Sequence, residues 1–209
     1  MAGPILPPLL PGSTNIDVPV DFVPPDDRRA VATIREDATL VRPLVVKRVA
    51  SPLAVFERLL DDLPAAARLV DSLRMGRYRI EPHPDGTVEI DDEHGARARV
   101  ARLVVAPGMR VYRATGAIEA FPAPPLRGTG IVTLRYEPGG DSAVWTGGQI
   151  FFRLESDLLH RIARPFLRLL HGVIDVKVRA LVNAAIAACE HEADRRDSES
   201  SRHPKENSK

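Results

Sequence analysis

FFRLESDLLHRIARPFLRLLHG, residues 151–172, begins with the alternation of a strand and continues as an amphipathic helix with a proline at its middle. A proline inside a helix removes a backbone hydrogen bond and clashes with the preceding turn. In the first turn of a helix the missing N–H costs little. We therefore predict that Ser156-Asp157 begins one short helix and that Pro165 begins the next, which redirects the chain across the sheet.

The predicted helical segment runs from Ser156 to about Glu190. Its apolar positions form one stripe: Leu159, Ile162, Ala163, Phe166, Leu170, Val173 and Ile174. Arginines and an aspartate lie opposite: Arg161, Arg164, Arg168, Asp175 and Arg179. Such a helix buries its apolar stripe against another element.

Six short runs with a period of two precede this helix, between Arg77 and Leu154, and glycine or proline separates them. This pattern predicts an antiparallel meander. Alternation places Val132, Leu134 and Tyr136 on one face, with Thr133 and Arg135 on the other. In the last run Val144, Ile150, Phe152 and Leu154 share a face, and Gly147-Gly148 is a candidate β-bulge.

The segment before the meander predicts one strand and two short helices. Residues 39–50 have the β-branched content of a strand, and Pro43 suggests either an edge position or a late start of the strand. Ser51-Pro52 has the pattern of an N-cap followed by a proline at the first helical position. Asp62 and Pro64 then begin a second short helix.

The two ends of the chain have a different composition. Residues 1–37 are rich in proline and then in charge, and they predict a largely disordered arm with a short edge strand near Val31–Ile34. Residues 191–209 contain no large apolar side chain after Ala193 and predict a disordered tail. The folded domain is expected at residues 38–190.

Composition excludes several classes of protein. With 44% hydrophobic and 27% charged residues and a net charge of +1, the chain is typical of a globular protein and gives no electrostatic reason to expect nucleic acid as partner. Cys189 is the single cysteine, so no intrachain disulfide forms. No run approaches the roughly 18 apolar residues of a membrane span, and the N-terminus is a poor signal peptide. We expect a cytoplasmic protein without stable membrane insertion.

The order of elements resembles the START-like, or SRPBCC, superfamily. The front segment VVKRVASPLAVFERLLDDLPAAARLV is similar to that family's first strand and capped helix, with an aromatic (Phe56) and then an acidic residue (Asp61 or Asp62). The segment after residue 151 is similar to its short helix, proline and long gripping helix. The resemblance covers about residues 45–190. It implies an α+β helix-grip fold: a curved antiparallel sheet of six to seven strands, two short helices and a long C-terminal helix.

In that family a cavity between the sheet and the long helix commonly holds an apolar ligand such as a lipid, polyketide or isoprenoid. The resemblance therefore implies binding, with transport or sensing as its use, of a hydrophobic or amphipathic small molecule. The candidate ligand-binding residues are Phe56, Tyr78, Tyr112, Tyr136, Trp145, Phe152, Phe166, Leu170 and Lys177. Lys177 lies either near the centre of the apolar stripe or on its flank, where the stem would pack and the ammonium would reach solvent.

Other chemistry has little support in the sequence. His160 and His171 are eleven residues apart, about three turns rather than the one turn of a zinc pair, so no metal site is predicted. The DDEHG run, residues 91–95, fits a solvated hairpin loop. No catalytic residue and no cofactor is predicted. The alternatives are a cyclase- or hydrolase-like enzyme using the same cavity, and a protein-interaction module without ligand, whose protein partner the sequence does not identify.

Overall fold

The computed structural model describes residues 9, 16, 20–93, 95–120, 123–140, 142–155, 183–196 and 198. The helices are α1 (Pro25–Glu36), α2 (Leu53–Asp61), α3 (Leu63–Ser72) and a C-terminal helix, α4, over residues 183–196; a 3-10 turn, Val20–Phe22, precedes α1. The strands are β1 (Leu40–Val49), β2 (Arg79–Pro82), β3 (Val88–Asp91), β4 (Ala96–Ala106), β5 (Met109–Ala120), β6 (Ala123–Pro138) and β7 (Val144–Leu154).

The seven strands form one sheet in the order β1-β7-β6-β5-β4-β3-β2, and every neighbouring pair is antiparallel. Strands β2 to β7 are the predicted meander of six. β1 joins it at the β7 side as an edge strand, which tolerates Pro43 because a proline has no N–H to offer a further strand. The α+β helix-grip architecture expected from the sequence is confirmed.

The sheet has an inner face, toward α2, α3 and α4, and an outer face, toward α1. The predicted alternation in β6 is confirmed, because Val132, Leu134 and Tyr136 lie on the inner face. Other inner-face residues are Arg110, Tyr112, Ile150 and Phe152, and outer-face residues include Met109, Val111, Ile131, Thr133 and Phe151. The two faces carry separate hydrophobic cores.

The two short helices follow β1 as predicted, but the first begins one residue late. Pro52 is the N-cap of α2, and no side chain caps it. The Ser51 hydroxyl is fully buried and contacts the carbonyl oxygen of Pro52 at 3.3 Å, so the predicted serine cap is wrong. The second helix has the predicted start, since Asp62 Oδ1 accepts a hydrogen bond from the Ala65 backbone N–H at 2.9 Å.

The N-terminal prediction is wrong over residues 25–36, which form helix α1 rather than a disordered arm with a strand at Val31–Ile34. Pro25 occupies the first turn, where a missing N–H is harmless. Val31 and Ile34, three residues apart, share a helix face and pack on the outer face against Ile131 and Phe151. Tertiary packing stabilises a segment whose composition resembles a disordered one.

The predicted bulge lies on β1 rather than at Gly147-Gly148 of β7. Leu44 pairs with Gly148 and Lys47 with Thr146, so two residues of β1 oppose Gly147 alone. A Cβ added at Gly147 would lie 2.7 Å from Val46 Cγ2 and 3.0 Å from Ile16 Cδ1. The glycine therefore makes room for the bulge and for a residue of the N-terminal arm.

α4 extends beyond the predicted domain end. Residues 191–196 are helical, and Glu192 and Ala193 are buried, so the prediction of a disordered tail from residue 191 is wrong for its first six positions. The predicted short helix and the Pro165 boundary lie outside the described residues. Among the helices that the structure describes, none has the length and apolar character of a membrane span.

Candidate functional site

The α2 end of the inner face is filled by a compact core. The rings of Phe56 and Tyr136 pack at a centroid distance of 5.3 Å and an interplanar angle of 58°. The same cluster includes Val49 and Val144 of the sheet and Cys189 of α4. This part of the inner face is closed by direct packing between the sheet, α2 and α4.

A buried arginine stands beside this core. The Arg110 guanidinium donates to both carboxylate oxygens of Asp61 at the end of α2, Nε to Oδ1 at 3.0 Å and Nη2 to Oδ2 at 3.1 Å. Its Nη1 donates to the carbonyl oxygens of Ala106 and Met109 at 2.8 and 3.0 Å, and to the Tyr136 hydroxyl. All three nitrogens are engaged, so Arg110 holds α2 to the sheet rather than offering a free charge to a ligand.

The two tyrosines of this cluster are also committed to protein contacts. The Tyr136 hydroxyl donates to Glu57 Oε1 at 3.0 Å, and the Tyr112 hydroxyl donates to the Leu60 carbonyl oxygen at 3.2 Å. Burial raises the pKa of Tyr112 to about 12. Burial, and then the hydrogen bond to Glu57, raise the pKa of Tyr136 as well. Both phenols stay protonated at neutral pH, which does not suit them to act as bases.

The charge of Arg110 is also fixed. Burial alone would lower the pKa of its guanidinium, but the hydrogen bonds to Asp61 and the neighbouring negative charge outweigh burial, and the pKa is raised. The guanidinium carbon lies 5.5 Å from the Tyr136 ring centroid, a further favourable contact for a cation. The cluster is therefore a structural clamp with constant protonation.

The middle of the inner face is built differently, because glycines lie where side chains are expected. A Cβ added at Gly128 would lie 2.4 Å from Phe152 Cζ, and one at Gly130 would lie 3.5 Å from Phe152 Cδ2. The Phe152 ring thus lies across the backbone of β6, in space that side chains at Gly128 and Gly130 would occupy.

The inner face around Phe152 is apolar and only half-buried. Phe152, Ile150, Val132 and Leu134 keep part of their surface accessible. On the outer face Ile131 of β6 and its neighbours Met109 and Val111 of β5 are fully buried. The two faces therefore differ around these residues: the outer face is buried here, and the inner face presents an apolar floor.

Eight of the nine predicted ligand-binding residues divide into four groups. Phe56, Tyr112 and Tyr136 belong to the core and clamp at the α2 end, and Phe152 lies on the apolar floor. Tyr78 packs near α3 and α4 and lines a surface cleft of about 310 Å³ beside Arg68 and Arg77. The last group, Phe166, Leu170 and Lys177, lies outside the described residues.

Trp145 does not face the same space as Phe152. In β7 it lies an odd number of residues from Phe152 and so points to the opposite face. There it packs against Leu9, Ile16 and Val46. The aromatic composition of β7 suggested Trp145, but its position in the alternation excludes it from the inner face.

Arg110 and the paired glycines Gly128 and Gly130 were not among the predicted site residues. Arg110 shares the inner face with Tyr112, and a charged residue between buried positions of a strand was a usable indication of a buried ion pair. Gly128 and Gly130, two residues apart in one strand, indicated a close approach of another group. That group is Phe152, which can be identified only once the pairing of β6 with β7 is known.

Two further features are surface ones. A second cleft, of about 380 Å³, lies between α2, α3 and α4 and is lined by Arg58, Leu59, Arg68 and Glu192 among others. Of the DDEHG run, Asp91 is the last residue of β3 and pairs with Arg97 at 2.7 Å, Asp92, Glu93 and Gly95 lie between β3 and β4, and His94 is outside the described residues. Within the described ranges no group of three or more metal-ligating side chains occurs.

The chain is similar to several solved structures. The chain is similar to a conserved protein from Geobacillus kaustophilus, with 13% identity over 75% of this chain and 96% of that one, and a TM-score of 0.52. Norcoclaurine synthase from Thalictrum flavum, in complex with dopamine and hydroxybenzaldehyde, matches with 13% identity over 74% of this chain and 89% of that one, and a TM-score of 0.47. Neither a protein-family model nor a curated protein matches the chain.

Proposed function

We propose that this protein binds a hydrophobic or amphipathic small molecule on the inner face of its sheet, between the floor around Phe152 and the C-terminal helix. The observation that carries the proposal is the contrast between the two faces. On the outer face Ile131 of β6 and its neighbours Met109 and Val111 of β5 are completely buried, whereas on the inner face Val132 of β6 and Ile150 and Phe152 of β7 are only half-buried.

An apolar surface of this kind is expected to be covered. Water in contact with apolar side chains is unfavourable by about 25 cal/mol per Å² relative to burial, so a ligand that removes the floor from water gains affinity. A Phe152 ring supported from behind by Gly128 and Gly130 presents a flat surface for an apolar ring or chain. Stacking on a preformed ring costs little ordering.

The polar cluster supports binding rather than catalysis. Arg110 has all three nitrogens bonded, and the phenols of Tyr112 and Tyr136 stay protonated. A cyclase- or hydrolase-like reaction would need an acid or base that can exchange its proton near neutral pH. The clamp instead fixes α2 against the sheet, and so holds one end of the binding space in a constant shape.

The test is a titration with the fluorescent apolar probe 1-anilinonaphthalene-8-sulfonate, together with native mass spectrometry for a co-purified small molecule. Ala114→Phe adds a ring to the floor, since Ala114 pairs with Gly130 on the inner face. We expect it to weaken probe binding by about tenfold or more, the loss of roughly 1.4 kcal/mol.

The matched control is Thr115→Phe. Thr115 is the next residue of β5, is exposed and lies on the outer face, so the same ring is added where no ligand is expected. This variant should bind the probe as the unchanged protein does. Equal binding by all three proteins, or no saturable binding by the unchanged protein and no co-purified molecule, would contradict the proposal.

A further inference from the structure

A polar pair lies on the outer face of the sheet, beside the apolar residues that pack against α1. Thr133 of β6 and Gln149 of β7 are directly opposite one another in the sheet. They are 0% and 9% exposed. Around them Ile131 and Phe151 pack with Val31 and Ile34 of α1, so bulk solvent is excluded from this part of the sheet.

Both side chains carry an oxygen without a visible partner. Thr133 Oγ1 and Gln149 Oε1 are buried, and neither makes a hydrogen bond with any residue that the structure describes. Buried polar atoms in folded proteins almost always bond to protein or to ordered water. An unsatisfied buried oxygen loses its hydration without replacement, which is unfavourable.

We propose that one water molecule is bound between Thr133 and Gln149, on the outer face of the sheet, and bridges the two oxygens. Directly opposite residues of an antiparallel pair have Cβ atoms about 4.5–5.5 Å apart. A water that makes hydrogen bonds of about 2.8 Å on either side joins two oxygens up to about 5.6 Å apart, and side chains on opposite positions can bring their oxygens within that distance. It accepts a hydrogen bond from the Thr133 hydroxyl and donates one to Gln149 Oε1.

The site takes water rather than a larger ligand because its surroundings are packed. Val111, Ile131 and Phe151 on the sheet and Val31 on α1 are all buried. A buried water typically makes two to four hydrogen bonds, and the pair supplies two. This site is on the face opposite to the proposed ligand site, and it does not depend on that proposal.

The sign of a stability change tests the inference. Thr133→Val keeps the shape of the side chain and removes only its hydroxyl. With a bridging water, the variant leaves that water and Gln149 poorly bonded, and the melting temperature falls by about 2–4 °C. Without one, the variant removes an unsatisfied buried hydroxyl and the melting temperature rises. Gln149→Met is expected to lower the melting temperature in the same way.

The double variant T133V/Q149M removes both polar side chains, so neither is left without its hydrogen bond. Its melting temperature should therefore be higher than the sum of the two single effects predicts. Thr115→Val is the control: Thr115 Oγ1 lies 3.3 Å from Thr129 Oγ1 on the same face, in an exposed pair, so its loss should change the melting temperature little. A crystal structure should show an ordered water within about 3.2 Å of both oxygens. Additive increases in the two single variants, or a direct Thr133–Gln149 hydrogen bond in the crystal, would overturn the inference.

Discussion

The carboxylate of Asp61 and the guanidinium of Arg110 are joined by two parallel hydrogen bonds across 49 positions of sequence. Asp61 is the last residue of α2, and Arg110 lies near the start of β5. The pair is unequal in burial, because the Arg110 side chain is 5% exposed and that of Asp61 is 42% exposed. The buried partner depends on the accessible one for charge compensation, so the clamp can be tested from the Asp61 side.

Asp61→Asn removes the negative charge and keeps the shape of the side chain. The buried Arg110 then lacks a counter-charge, and we expect a loss of about 2 kcal/mol in the free energy of unfolding, measured by urea denaturation. Asp71→Asn, at an exposed carboxylate on α3, is the control and should change the free energy by less than about 0.5 kcal/mol. Equal effects of the two substitutions would show that the clamp contributes nothing.

The glycine floor gives a second prediction. Gly128→Ala puts a Cβ 2.4 Å from Phe152 Cζ and 2.5 Å from the Arg153 carbonyl oxygen. The backbone cannot move aside without strain, so the free energy of unfolding should fall by about 1–3 kcal/mol. Gly130→Ala meets its nearest atom, the Phe151 carbonyl oxygen, at 3.2 Å and should cost less. Chemical denaturation of both variants measures the order, and the reverse order would contradict the placement of the ring.

Local patterns were enough to predict most of the sheet. Alternation and Gly/Pro punctuation depend on neighbouring residues, and they located β2 to β7, the edge position of β1 and the start of α3 at Asp62. The Arg110–Asp61 clamp depends instead on which residues meet after folding. No local feature of either segment says that the two will pair.

Helix α1 likewise depends on contacts with segments that are distant in the sequence. Its two buried residues, Val31 and Ile34, stand among six charged positions in PDDRRAVATIRE, and by composition the segment resembles a disordered one. What orders it is the apolar outer face of β6 and β7, made of Ile131 and Phe151 among others. A helix stabilised by packing on distant strands is predictable only once the sheet is known.

Ile34→Ala tests whether α1 contributes to the stability of the domain. Ile34 is 5% exposed, and its truncation should lower the free energy of unfolding by about 2–4 kcal/mol, measured by thermal and urea denaturation. Arg29→Ala, on the exposed side of the same helix, should have almost no effect. If both variants were as stable as the unchanged protein, α1 would not be docked on the sheet in solution.

Cys189 should be unreactive in the folded protein. Its thiol is buried in the core between α4, α2 and the sheet, and burial, with a smaller effect of Glu190, raises its pKa to about 12. Only the thiolate reacts with a disulfide reagent, so at pH 8 we expect labelling only as fast as the protein unfolds. Ser72→Cys, at an exposed position of α3, supplies the control: it should add one rapidly labelled thiol. Rapid labelling of the unchanged protein would show that α4 does not cover this core.

Glu192 should make stability depend on pH in the acid range. Its carboxylate accepts hydrogen bonds from Arg195 at 3.0 Å, from Arg58 and from Arg196 at 3.3 Å. The Arg195 hydrogen bonds have the largest effect, and with those from Arg58 and Arg196 they lower the pKa of Glu192 to about 2 although burial opposes this.

A pKa below that of the unfolded chain, about 4.3, means that the stabilisation is complete above that pH and is lost as the pH falls toward 2. The difference in free energy of unfolding between the unchanged protein and Glu192→Gln should therefore be large at pH 6 and shrink steadily between about pH 4.5 and 2. Glu36→Gln, at an exposed position of α1, should show no such convergence, and a constant difference for Glu192→Gln across this range would mean that the three arginines do not hold the carboxylate.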